Sequence, residues 1–368
     1  MKVLFMANIP SPYRVDFFNE LGKYCDLTVT FEGKTATDRD AKWKAAEYQN
    51  FKAVFMKGIR TKSDQFLCVE ILKMIGSGFD RIILGGYSTP TAMLAIEYMR
   101  LKHIPFWMEA DGGMVSEDSR LKYQLKRHFI SSASSWFSSG KTTTEYLVHY
   151  GADESKVHWY PFTSLRSADI LPTVPTVEEK MRLRQKLGMG GGKMILTVGR
   201  FSYMNGYGKG FDVLMKAMTS CPKDCALYIV GDEPTPEFVD LKKKLKLDNV
   251  FFVGFKSKNE LKEYYEAVDI FCLQTRGDVW GLVVNEAMAC GLPVITTNRC
   301  VAGLELIQDD FDGYIVDAED YHAVADRIVH LISQPMLLQE MSRNALEIIK
   351  SYTIENMALA HGKVLSNS

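Results

Sequence analysis

The 368-residue chain has no apolar run longer than a strand. Its longest, such as Met194–Val198, fall far short of the roughly 20 residues that a membrane-spanning helix needs, so none is expected. Lys2 leads directly into the strand-like Val3–Met6 and a Pro-rich loop, which argues against a signal peptide and for a cytoplasmic protein. A net charge of −1 offers no global attraction for nucleic acid. The seven cysteines are odd in number, and Cys68, Cys272 and Cys290 sit among apolar neighbours, so buried reduced thiols explain them better than disulfides do. Cys221 and Cys225 lack a second pair or a nearby His, and no metal centre is expected. A dinucleotide fingerprint is missing too: Gly199, Gly206 and Gly208 have the wrong spacing, and Ser135 stands where a P-loop ending in Gly140-Lys141-Thr142 needs its first Gly. None of the seven histidines falls in an obvious strand-end loop, which argues against a His base.

What is present is 46% hydrophobic and 24% charged, a globular composition with room for two domains. Short apolar strands alternate with helical patterns throughout, the pattern of parallel α/β sheets. In the first half, strands are predicted at Val3–Met6, Leu27–Thr30, Ile82–Leu84, Phe106–Met108, Ser135–Ser138 and Val157–Tyr160, and the helices include Val15–Tyr24, Phe66–Ile75 and Arg120–Ser132. From Pro161 to Pro175 the pattern lapses, then restarts with strands at Ile195–Val198, Leu227–Val230, Val250–Val253, Ile270–Leu273, Val294–Thr297 and Gly313–Val316. The expected division is a first domain over 1–162 and a second over 163–352. Ligands of open parallel sheets bind outside the carboxyl ends of the strands, so the loops following strands are where chemistry is sought.

One such unit is Asp278–Thr297: an acid in a loop, Gly281, a helix carrying Glu286, a Gly291–Pro293 stop and a buried strand. Gly281 precedes a helix N-terminus whose N–H groups and dipole suit a phosphate, and the two acids could flank an anionic ligand bearing hydroxyls. A loop Asp and a solvated helix Glu are the plain alternatives. Asp278 followed by Glu286 and Ala287-Met288-Ala289-Cys290-Gly291-Leu292-Pro293-Val294 resembles the acidic signature of the family-4 retaining glycosyltransferases. That family usually has Glu where this chain has Asp278, and the shorter side chain bears on which donor sugar fits.

The resemblance implies the GT-B fold, two doubly wound parallel-sheet, Rossmann-like domains facing across a cleft, with the last helix (353–368) crossing back onto the first domain. It extends to Gly199-Arg200, a Gly-rich loop and Lys209-Gly210-Phe211-Asp212, where Arg200 and Lys209 would neutralise a leaving diphosphate. By the same resemblance Glu286 would hold ribose hydroxyls, Asp278 the sugar hydroxyls, and the N–H groups of Leu282 and Val283 phosphate oxygens. Gly231-Asp232-Glu233-Pro234 departs from the family's Gly-Asp-Gly-Pro, and Gly254-Phe255 resembles a loop that embraces the base; generic turns are the alternatives for both.

In the first half, Pro10 and Pro12 stiffen a loop that presents Tyr13 and Arg14 to an acceptor or a donor phosphate, unless it is a rigid turn with a surface Arg. Gly85-Gly86 follows another strand. Asp111, in Glu109-Ala110-Asp111-Gly112-Gly113, is a candidate to orient an acceptor hydroxyl, with a solvated loop acid as the alternative. The helix around Leu121–Arg127 is basic and amphipathic; related enzymes with lipid-linked acceptors dock such faces on anionic membranes, although most are simply solvated.

The expectation is therefore a retaining, metal-independent hexosyltransferase without cofactor, taking a nucleoside-diphosphate sugar as substrate and a sugar or lipid-linked glycan as acceptor, in cell-surface polysaccharide or glycolipid synthesis. It would work in the cytoplasm or at the inner face of the membrane, and not on nucleic acid. A nucleotide-sugar epimerase and a catalytically weak nucleotide-sugar binding protein are the alternatives.

Overall fold

The computed structural model describes residues 1–34, 47–62, 65–190 and 192–367, which form two compact units, Met1–Ser164 with Tyr352–Ser368, and Leu165–Ser351. Residue 368, the end of the expected tail helix, lies outside the described residues.

The first unit contains strands β1 (Lys2–Ala7), β2 (Asp26–Phe31), β3 (Lys52–Phe55), β4 (Ile59–Lys62), β5 (Gln65–Leu67), β6 (Arg81–Leu84), β7 (Trp107–Ala110), β8 (Ser135–Ser138) and β9 (Val157–Trp159). Seven of them form a parallel sheet in the order β3-β2-β1-β6-β7-β8-β9, while β4 and β5 make a separate antiparallel hairpin. Helices α1 (Pro12–Leu21), α2 (Ile71–Ile75), α3 (Pro90–Leu101), α4 (Arg120–Ile130) and α5 (Lys141–His149) flank it. The α3 start is coded locally: Pro90 occupies the first turn, and the Thr89 hydroxyl accepts the Ala92 N–H.

A helix predicted over Phe66–Ile75 is interrupted. Phe66 belongs to β5, and only Ile71–Ile75 is helical. The buried Thr91 of α3 decides this: its hydroxyl donates to the Phe66 carbonyl at 2.6 Å and accepts the Cys68 N–H at 3.0 Å. Those two backbone groups are thereby satisfied without a helix.

The second unit has β10 (Lys193–Val198), β11 (Cys225–Val230), β12 (Val250–Gly254), β13 (Ile270–Leu273), β14 (Val294–Thr297) and β15 (Gly313–Val316), all parallel, in the order β12-β11-β10-β13-β14-β15. Its helices are α6 (Val177–Leu187), α7 (Phe211–Met218), α8 (Pro236–Lys244), α9 (Lys258–Ala267), α10 (Leu282–Ala289), α11 (Val301–Leu306), α12 (Tyr321–Ser333) and α13 (Pro335–Ile349). Helix α6, not foreseen from periodicity, is closed by a Thr176/Glu179 capping box and by Gly188 in the left-handed region.

In both sheets the chain order reverses beside the first strand, between β1 and β6 and between β10 and β13. A crevice at the carboxyl ends is expected at each of those points.

The C-terminal helix (Ile354–Asn367) completes the first unit. It buries Ile354, Met357, Ala358 and Leu365, and its Gly362 packs so close to Tyr24 that a Cβ would lie 2.8 Å from the ring. Among the described residues no helix is long and apolar enough to cross a membrane.

Candidate active site

At the reversal point of the second sheet, the loops after β10 and β13 meet. Lys209, at the end of the first loop, donates to Asp278 Oδ2 from 2.5 Å, and both side chains keep a little under a fifth of their surface exposed. The structure thus joins two residues to which the sequence gave separate ligands.

Several backbone devices hold Lys209 there. Gly210 has φ +66°, and a Cβ on it would stand 1.6 Å from the Gln274 carbonyl oxygen, so only glycine lets the loop lie against the end of β13. The Gly208 carbonyl accepts from the Arg276 N–H at 3.0 Å and the Thr275 hydroxyl at 3.1 Å. The Arg276 guanidinium donates to the Tyr207 carbonyl, to both Asp212 oxygens at 2.8 and 3.0 Å, and to Glu319 at 2.6 and 2.8 Å. These charged hydrogen bonds raise its pKa further. Upstream, Met204, Asn205 and Gly206 are all left-handed, with φ of 50°, 52° and 84°. Left-handed non-glycine residues store strain that the surrounding contacts must maintain.

Gly199 enters this loop with its N–H on the Val230 carbonyl, and its own carbonyl lies where a Cβ on Gly231 would be, at 1.8 Å. Arg200 is exposed. The Asp232 carboxylate accepts the next two N–H groups, those of Phe201 and Ser202, the latter at 3.0 Å. Gly254, φ +78°, ends β12 and its carbonyl accepts the Gly231 N–H, while Phe255 is 45% exposed.

Across the reversal point, Gly281 caps α10 with φ +105°, and a Cβ there would meet Cys300 Sγ at 2.7 Å. The half-buried Leu282 and Val283 occupy the first two helical positions, whose N–H groups have no preceding turn to bond. Glu286, one turn on, accepts from the Tyr265 hydroxyl at 3.1 Å. Burial, then the Glu286 charge, pushes that phenol well above its ordinary range, so Tyr265 stays a donor.

The first unit has its own cavity, about 210 Å³, at the reversal point between β1 and β6. Tyr13 lies on its wall, half-buried, its ring edge-on to Phe162 at 6.0 Å. Arg14 is 6% exposed and turned inward. Its guanidinium lies 5.0–5.2 Å from the ring centres of Phe5, Phe17 and Phe18 and donates to Glu109 and, at 3.4 Å, to Asp111. A surface arginine is thus replaced by a buried ion pair. Tyr160 donates to Asp111 at 2.9 Å.

Burial by itself raises the Glu109 carboxyl, but the Arg14 charge and His361 outweigh it and hold Glu109 well below the usual range. Burial raises Asp111, Arg14 opposes it, and Glu109 adds to the rise, leaving Asp111 at about 7. His361, on the C-terminal helix, donates from Nδ1 to the Met357 carbonyl at 2.8 Å, stacks on Phe137, and places Nε2 3.4 Å from Glu109 Oε2.

Sequence reading missed Tyr265, Tyr160 and His361, which lie in helices or after an edge strand and carry no local signal. Arg276 and Thr275 follow directly on β13, where the strand-end rule could have found them. Among the described residues no group of three or more His, Cys, Asp or Glu is placed to hold a metal.

Residues 179–348 match the family model of glycosyl transferases, group 1. The matched stretch lies within the second unit. A D-inositol 3-phosphate glycosyltransferase of Xylanimonas cellulosilytica is 29% identical over 214 residues, 55% of this chain and 50% of that protein. An uncharacterized glycosyltransferase of Haemophilus influenzae is 33% identical over 180 residues, 47% of this chain and 49% of its own. The chain thus spans about half the length of the curated relatives it matches. Among solved structures, Anabaena HepE in complex with UDP superimposes with a TM-score of 0.80 at 17% identity, over 100% of both chains. WaaG, a glycosyltransferase involved in lipopolysaccharide biosynthesis, gives 0.70 at 16%, again over 100% of both. The fold is that of the GT-B glycosyltransferases.

Proposed function

We propose that the protein is a retaining glycosyltransferase that moves a sugar from a nucleoside-diphosphate sugar to an acceptor hydroxyl, in the synthesis of a surface polysaccharide or glycolipid. The Lys209–Asp278 pair beside the α10 N-terminus, inside the segment matching the group 1 model, carries this reading. A donor diphosphate would draw Lys209 away from Asp278. Freed from the ammonium, the carboxylate would accept from sugar hydroxyls.

Charge growing on the leaving phosphate would be met by Lys209, Arg200 and the N–H groups of Leu282 and Val283, without metal or cofactor. Glu286, steadied by Tyr265, would hold the ribose. On the first unit, Asp111 would accept the hydrogen of the attacking hydroxyl. Attack from the face that the phosphate leaves would give retention.

The test is transfer from labelled donors. HepE is crystallised with UDP-glucose, and a mannosyltransferase relative in Mycolicibacterium smegmatis is GDP-mannose-dependent, so both donor classes belong in the panel. Lys209→Ala is expected to lower kcat about 10²–10³-fold, as loss of one oxyanion donor does. Turnover should survive a chelator. Unchanged turnover in Lys209→Ala, or C2-inverted sugar as the product, would overturn the reading.

A further inference from the structure

The C-terminal helix brings a histidine to the acid expected to receive the acceptor's hydrogen, an inference that rests on the transferase reading. His361 is fully buried, its ring stacked on Phe137 at 4.1 Å and edge-on to Phe17 and Tyr160 at 4.9 and 4.7 Å. Its Nδ1 lies 2.8 Å from the Met357 carbonyl, which only accepts, so that nitrogen holds a hydrogen. The other nitrogen, Nε2, stands 3.4 Å from Glu109 Oε2, and neither atom has a hydrogen-bond partner among the described residues. A bare Nε2 would turn its lone pair toward the carboxylate. A hydrogen on it makes the ring a cation and serves both unsatisfied atoms at once.

Glu109 is a shared group. Its Oε1 takes the Arg14 guanidinium, which also reaches Asp111 at 3.4 Å. Tyr160 links the same groups a second way: its ring lies against His361, while its hydroxyl donates to Asp111 at 2.9 Å. Asp111 is thus faced by Arg14 from α1, Glu109 from β7 and Tyr160 after β9, with Glu32 on the wall of the same cavity. Glu109 and Asp111 together set two negative charges around one guanidinium. In a buried site, a second positive charge on Glu109 decides how much of that guanidinium Asp111 keeps.

We propose that His361 is a positioning residue for Asp111: its imidazolium serves Glu109 from the last helix and leaves Arg14 and Tyr160 directed at Asp111. Removing that charge should make Asp111 hold its proton to higher pH. His361→Gln keeps a donor without the charge, and His361→Leu removes both. The full-length chain is labelled with carbon-13 in its aspartate carboxyls, and the Asp111 signal is assigned by its loss in Asp111→Asn. That signal should titrate roughly 0.5–1 pH unit higher in both variants. The acceptor kcat/KM below the midpoint should fall by the matching factor, about three- to tenfold. A helix that was merely loosened would admit water and move the titration the other way, toward the ordinary Asp range.

In the unaltered chain, nitrogen NMR at about pH 6 should show both His361 ring nitrogens protonated. An unchanged or lowered Asp111 titration, or a singly protonated ring, overturns the proposal. If neither variant folds, the ring nitrogens decide it alone. Failure of the transferase reading shows separately, as an Asp111 titration that moves in a chain that turns over no nucleotide sugar.

Discussion

The 2.5 Å contact between Lys209 and Asp278 makes the two residues one unit in any substitution experiment. On the proposed reading, removing the ammonium would take away a diphosphate ligand and would also release an acid toward the donor sugar. Asp278→Glu lengthens the acid by one methylene while keeping the pair. It should change the ratio of kcat/KM between donor sugars more than it changes melting temperature, since a partly exposed ion pair contributes about 1 kcal/mol or less. An identical donor ratio would remove Asp278 from sugar recognition. The role proposed for Asp111 makes a prediction about pH: with its carboxyl raised to about 7, it would accept a hydroxyl hydrogen only when ionised, above that value. The acceptor kcat/KM should climb as pH rises toward 7 and then level, and Asp111→Asn should remove the climb along with most of the activity. The same rise means that Asp111 favours the folded state below the ordinary Asp range and gives up that contribution as pH climbs through about 7. Glu109, held low, has the opposite sign: its contribution is present above the ordinary Glu range and is lost as pH falls below it.

At the scale of elements, the loop from Tyr203 to Lys209 depends on glycines that differ in kind from the one ending α6. Gly210 and Gly188 have nearly the same φ, +66° and +65°, but a Cβ on Gly210 would strike the Gln274 carbonyl, whereas nothing lies within 4 Å of one on Gly188. Gly188→Ala should therefore cost only the left-handed strain, about 1 kcal/mol. Gly210→Ala should cost more and should weaken nucleoside-diphosphate binding, measured by denaturant unfolding and calorimetry; equal costs would mean that the loop shifts freely. Strand alternation, the Gly281 cap and the acids of Asp278–Thr297 were legible because each is written in consecutive residues. The Lys209–Asp278 pair and the inward turn of Arg14 were not, because both join residues dozens of positions apart. The break in the helix expected at Phe66 has the same origin: Thr91, on a later helix, supplies the decisive hydrogen bonds.

In the molecule as a whole, the strand order of each sheet reverses once beside its first strand, and the candidate loops singled out in the sequence follow strands that flank those points. The buried network of the first unit draws on four strand-end or helix residues and on His361 from the far end of the chain. Glu109→Ala would leave Arg14 as an uncompensated buried charge and should destabilise the chain by about 3–5 kcal/mol, read by urea unfolding. A loss under 1 kcal/mol would mean that water or Asp111 replaces the lost partner.

The C-terminal helix also sets an order of events at the ribosome. The second unit is one continuous stretch, whereas the first waits for residues 352–368, which are translated after all of it. Domains that fold as they emerge usually do so from the N-terminus. Here the reverse is expected: in released chains truncated after Ser351, protease should spare 165–351 and cut 1–164, and resistance of 1–164 in them would show that His361 and its helix are dispensable for early folding.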